Sequence, residues 1–171
     1  MNTAAFRKNH PTKWLTVPAM LMAMNVALSS FGVPGGHLYL NDIVIDTAAI
    51  LLDPLAAFAV GGIGAFIGDA LFYPAPMFVL LVTHGLQAVV ISLLANRKGG
   101  KHSVNALIGV VLGALIMVIG YTLGRAFLYS TPEYAILKIP FQFLQAGVGA
   151  VAAMIICFPA HLLRFWEKFT K

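Results

Sequence analysis

Residues 104–124, VNALIGVVLGALIMVIGYTLG, carry no charged side chain. A stretch of about 20 mostly apolar residues is what a helix needs to cross the hydrocarbon core of a bilayer. Before it stands a basic turn, Asn96-Arg97-Lys98-Gly99-Gly100-Lys101-His102, and before that a second apolar run from Met77 to Ala95. After it comes a more polar link, Arg125 to Lys138, and then another apolar run from Pro140 to Leu163. Towards the N-terminus, Gly32-Val33-Pro34-Gly35-Gly36, Asp53-Pro54 and Tyr73-Pro74-Ala75-Pro76 break the chain. This punctuation predicts six helices, at about 14–31, 40–52, 55–71, 77–95, 104–124 and 140–163.

The bulk composition agrees. Of 171 residues, 60% are hydrophobic and 10% charged, against about 45–50% and about 25% in soluble domains. The expected fold is an all-α polytopic membrane protein, one membrane domain over residues 1–171. An ordinary soluble enzyme, a disordered regulator and a fibrous protein are excluded.

The apolar run after Arg7, Lys8 and Lys13 is read as a retained first helix. It is long for a signal peptide and contains Pro18 and Asn25. Basic residues then set the orientation. Arg7, Lys8, Lys13, Arg97, Lys98, Lys101, Arg164, Lys168 and Lys171, nine of the 11 Lys and Arg, fall on one side of a six-span chain. The positive-inside rule makes that side cytoplasmic, with both termini. A multi-pass protein of a prokaryotic plasma membrane is expected. The net charge of +5 forms no dense arm, so nucleic acid is not an expected partner.

No catalytic motif is present. The sequence lacks a phosphate-binding lysine loop, a His-Glu-x-x-His and a Gly-x-Ser-x-Gly, and its single Cys157 excludes a disulfide framework. No cofactor or metal is expected. His10, His102 and His161 flank segment ends, where solvated surface is the expected role.

Polar residues inside spans are costly and mark functional positions. His84 and Gln87 lie three apart on one helix, and Gln142 and Gln145 repeat that spacing on another, so each pair shares a face. Together with Tyr121 they could form a neutral polar pocket, or simply bond helix to helix. The outward loops add His37, Tyr39 and Asn41, and Asp69, Phe72 and Tyr73, an aromatic pair beside a carboxylate. Asp69 also reads as a helix-terminal carboxylate. Asp42 and Asp46 could take a cation or proton, although Arg125 or Lys138 could pair with Asp42. Asp53 reads as a turn residue. Ala19, Ala23 and Ala27 recur every fourth residue and form a smooth stripe for close helix contact, with another subunit or within the bundle.

These features in order resemble an energy-coupling factor (ECF) transporter S component. The resemblance rests on the alanine stripe, Pro34-Gly35-Gly36-His37, Gly61-Gly62-Ile63-Gly64-Ala65 with Gly68-Asp69, Tyr73-Pro74 and His84-Gly85-Leu86. It spans Trp14 to Leu163 and is nearest to riboflavin-type components and their hydroxymethylpyrimidine and pyridoxine relatives.

The resemblance implies a non-catalytic subunit that captures a vitamin outside the cell. Delivery would follow by toppling in the membrane against a T subunit driven by two ATPases. Ala19, Ala23 and Ala27 would then dock the T subunit, and the segments 35–41 and 69–76 would form the outer gate. The few charges among the pocket candidates favour pyridoxine or hydroxymethylpyrimidine, with riboflavin and thiamine behind. Two further classes stay open. One is an ion-coupled carrier using Asp42 and Asp46; the other is a membrane-embedded enzyme using Asp69 and His84.

Overall fold

The structure, a computed structural model, describes residues 10–30 and 39–169. Among these the chain is helical, with no β-strand. Helix α1 is Pro11–Ser29, α2 Asn41–Leu51, α4 Met77–Ala95, α6 Pro132–Cys157 and α7 Leu162–Phe169. Helix α3 is Pro54–Phe72, with a π-helical turn at Ala59–Ile63. Helix α5 is His102–Tyr129, ending in a second such turn at Arg125–Tyr129.

Among the described residues four helices, α3 to α6, are long and apolar enough to cross a membrane. Their outer faces carry exposed leucine, valine, isoleucine and phenylalanine, among them Leu71, Phe78, Leu86 and Phe143. That is the surface lipid requires. Two of the six expected spans differ. Helix α2 has 11 residues, about 16 Å at 1.5 Å per residue, which is half a hydrocarbon core. It is buried along its length except at Ile43 and forms the central core with α1, α4 and α6. Helix α1 is long enough, but Lys13, Asn25 and its hydroxyl residues lower its hydropathy.

The link expected at 125–138 is helical as well. Thr131 caps α6, its side chain accepting from the Tyr134 backbone N–H at 3.3 Å, with Pro132 at the first position and Glu133 in the first turn. Each of these stabilises a helix start. Pro140, expected to open the helix, sits inside it and omits one backbone donor. At the other end the helix stops at Cys157, and the expected tail from Arg164 lies in the amphipathic α7, which buries Trp166.

One end of the bundle is tied by polar contacts. Asp53 caps α3 through the backbone N–H groups of Leu55 and Ala56 and also accepts from Trp14 Nε1 at 2.6 Å. It is thus a cap and an anchor for α1, more than a turn residue. Ser92 Oγ donates to the Leu52 carbonyl at 2.6 Å, and Lys13 Nζ to the Phe169 carbonyl at 3.2 Å. His102 is half-buried and meets Phe158 edge-on at 5.8 Å rather than lying in solvent.

The glycine run sets the close approach of α3 to α4. A Cβ at Gly61 would stand 2.8 Å from the His84 carbonyl oxygen and 2.9 Å from Ala88 Cβ. Backbone cannot yield as a side chain does. Gly61→Val should therefore destabilise the protein by about 1–3 kcal/mol, read as a lower unfolding midpoint in detergent; an unchanged midpoint would refute the contact.

Candidate functional site

At the end of the bundle away from these ties lies a cavity of about 290 Å³. Helical period builds its main wall. Tyr121 and Arg125 stand four apart on α5, while Tyr134, Lys138, Phe141, Gln142 and Gln145 repeat at three and four on α6. Tyr39 and Asn41 close it from the start of α2, and Asp69 and Tyr73 from the end of α3. All five tyrosines of the chain, Tyr39, Tyr73, Tyr121, Tyr129 and Tyr134, line this one space.

The charges are distributed between its walls. Arg125 lies 5.9, 5.8 and 5.8 Å from the rings of Tyr121, Tyr129 and Tyr134. Lys138 Nζ stands 5.3 Å from Tyr134 and 5.5 Å from Phe141. Such contacts are attractive because the ring face is negative. In the orientation that satisfies both of its amide atoms, Gln142 donates to Thr122 Oγ1 and the Val118 carbonyl, each at 3.1 Å, and accepts from Arg125. The carboxylate of the cavity, Asp69, comes from α3, and among the described residues it makes no ion pair with either cation. Burial, then the Asp69 charge, raises the Tyr39 hydroxyl above its ordinary range. Tyr39 therefore stays a neutral phenol.

Beneath the cavity is a buried polar network. Tyr121 Oη lies 2.9 Å from His84 Nε2, and His84 Nδ1 lies 2.7 Å from Gln87 Oε1. Gln87 Nε2 reaches Asp46 at 2.9 Å and Asp42 at 3.2 Å. Gln145 Nε2 donates to the other Asp42 oxygen at 2.5 Å, and Gln145 Oε1 accepts from the Tyr39 backbone N–H at 3.2 Å. Asp42, Asp46, His84 and Gln87 are each at most 1% exposed. The Gln87 and Gln145 amide N–H groups give both buried carboxyl groups hydrogen-bond donors.

The expected site residues thus separate into three groups. Tyr39, Asn41, Asp69, Tyr73, Tyr121, Gln142 and Gln145 line the cavity. His84 and Gln87 lie under it, linked to the lining residue Tyr121 by hydrogen bonds. Phe72 does not line it, whereas its neighbour Tyr73 does, both side chains being more than half exposed. His37 lies outside the described residues.

Asp42 pairs with the two glutamines, not with Arg125 or Lys138. Among the described residues no group of three or more His, Cys, Asp or Glu is placed to hold a metal. Sequence reasoning missed Arg125, Tyr129, Tyr134 and Lys138 as lining residues. The available signal was the Thr131-Pro132-Glu133 helix start, which puts the later two on one helical face.

Ala19, Ala23 and Ala27 are all exposed, while Pro18, Asn25 and Ser29 are buried on the other side of α1. The stripe therefore faces away from the bundle. Asn25 Nδ2 donates to the Val60 carbonyl at 2.7 Å, inside the π-helical turn of α3.

Comparison with known proteins places this geometry in context. The family model described as ECF-type riboflavin transporter, S component, matches residues 9–161. A protein of Pyrococcus woesei, described as an uncharacterized protein in gap 3'region, is 31% identical over 137 residues. The match covers 80% of this chain and 87% of that protein.

Proposed function

This chain belongs to the family of ECF-type riboflavin transporter S components, and we propose that it captures a small aromatic vitamin of the pyridoxine or hydroxymethylpyrimidine kind. Membership makes it a multi-pass membrane subunit for substrate binding in vitamin uptake, non-catalytic by itself. One observation carries the choice of ligand: five tyrosines line a single cavity of about 290 Å³. Aromatic rings stack on a flat heterocycle in offset or edge-on geometry, and ligand pockets generally start near 300 Å³. A one-ring vitamin suits that size. Asp69 on one wall and Arg125 and Lys138 on another match a ring with donors at one edge and acceptors at the other.

Riboflavin is the second reading, favoured by the family description; its three fused rings and ribityl chain would fill the cavity. Thiamine, permanently cationic, meets two cations in Arg125 and Lys138 and is disfavoured.

In this reading the cavity opens outside the cell, and the basic end faces the cytoplasm of a prokaryote. Helices α1 and α2 bring the membrane-embedded helices to six, with both termini inside. The T subunit docks on Ala19, Ala23 and Ala27, and two ATPases drive the toppling that releases the vitamin inward.

Calorimetric titration of the purified chain in detergent micelles tests the ligand. Pyridoxine or hydroxymethylpyrimidine should bind about tenfold or more tighter than riboflavin, a difference of at least about 1.4 kcal/mol. The reverse order would replace the one-ring choice with riboflavin, and binding of none of the three would sink the proposal.

A further inference from the structure

The network under the cavity can be read donor by donor, starting from a group with no ambiguity. The Tyr39 backbone N–H can only donate, so the Gln145 atom 3.2 Å from it is the carbonyl oxygen. The Gln145 NH2 then faces Asp42, whose Oδ2 accepts. Gln87 faces Asp42 Oδ1 and Asp46 Oδ1 together. Only its NH2 has two hydrogens to give them, so its carbonyl turns to His84 Nδ1 at 2.7 Å. That nitrogen must carry a proton.

The other ring nitrogen follows. His84 Nδ1 makes its short contact to a neutral amide carbonyl, while the nearest carboxylate oxygen, on Asp42, is 3.6 Å away and beyond hydrogen-bond range. An imidazolium would turn its proton to that carboxylate. A ring with one proton, on Nδ1, leaves Nε2 as an acceptor, and the Tyr121 hydroxyl 2.9 Å away donates to it. The Tyr121 proton is then engaged by His84, and the hydroxyl oxygen of this cavity-lining residue keeps its lone pairs for another donor.

We propose that Asp42 and Asp46 are positioning residues that, through Gln87 and His84, make the Tyr121 hydroxyl an acceptor toward the ligand, so that the vitamin must present an N–H or O–H donor to it. The ligand half of this rests on the functional reading above; the relay does not. Asp42 and Asp46 themselves do not line the cavity. Three hydrogen bonds separate them from Tyr121, and a fourth joins Tyr121 to the ligand edge they select.

Two measurements test it. The first is 15N NMR of the full chain, labelled at histidine and held in lipid nanodiscs, with His84 assigned by the signals lost in His84→Gln. The expected spectrum shows His84 neutral and protonated at Nδ1, the form that is the minor one for histidine in water. In Gln87→Met, which keeps the side-chain volume but removes both amide contacts, Nε2–H should appear. A wild-type His84 protonated at Nε2, or at both nitrogens, would overturn the relay.

The second compares a bound vitamin with analogues methylated singly at each donor. One such methylation should weaken binding to wild type about tenfold and binding to Tyr121→Phe far less. Equal losses in both proteins at every donor would overturn the acceptor assignment. If no vitamin binds, the functional reading fails, while the NMR result still decides the relay.

Discussion

Ala23→Trp is expected to reduce vitamin uptake by the assembled transporter about 30- to 1,000-fold while leaving the affinity of the purified chain for its vitamin unchanged. Ala19, Ala23 and Ala27 lie on the exposed side of α1, away from the buried Pro18, Asn25 and Ser29. An indole there projects from the exposed side of α1 among the described residues and would hold a docking helix off the stripe. Within a bilayer, helix association depends on close packing between small residues, because lipid tails are as apolar as the side chains. Losing the centre of such a contact costs about 2–4 kcal/mol, which is the stated range in an equilibrium constant. Uptake of labelled vitamin into proteoliposomes with T subunit and ATPases, set beside calorimetric affinity, separates the effects. Full uptake by the variant would remove α1 as the docking surface; a parallel loss of affinity would make the stripe part of the fold.

Arg125→Gln is expected to weaken vitamin binding about tenfold to 150-fold. The guanidinium sits among the rings of Tyr121, Tyr129 and Tyr134 and donates to Gln142, so its direction is set before a ligand arrives. A hydrogen bond from a charged group contributes about 1.5–3 kcal/mol, the range just given. Arg125→Lys should recover part of the loss, since it restores charge without the planar fork. Affinity equal to wild type in Arg125→Gln would exclude the guanidinium from recognition. A lower unfolding midpoint without ligand would show instead that it holds α5 against α6.

Seven of the expected site residues reach the cavity, and the reason is local. Polar side chains on otherwise apolar helices have few places to go except inward, so Tyr121, Gln142 and Gln145 could be picked from their surroundings in the chain. Arg125 and Lys138 could not, because treating 125–138 as a polar link hid their positions on two helices. Phe72 and Tyr73 show the same limit. As neighbours in sequence they look equivalent, but only Tyr73 lines the cavity at the end of α3. For α2 the breaks on either side suggested a span that was short and polar, and only the structure put it at the centre of the bundle.

The amino-acid sequence alone determined that the chain lives in a membrane, where its long helices run and at which ends its basic residues gather. Hydropathy and charge belong to individual residues and add along the chain, so those results needed no coordinates. Only the tertiary structure decided that five tyrosines from four segments meet in one cavity, that Arg125 and Lys138 join them, that the alanine stripe faces outward, and that two carboxylates sit hidden beneath the floor. Each depends on the rotation of one helix against its neighbours. That rotation comes from packing contacts such as Gly61 on α4 and Asp42 against Gly149, made between residues far apart in sequence.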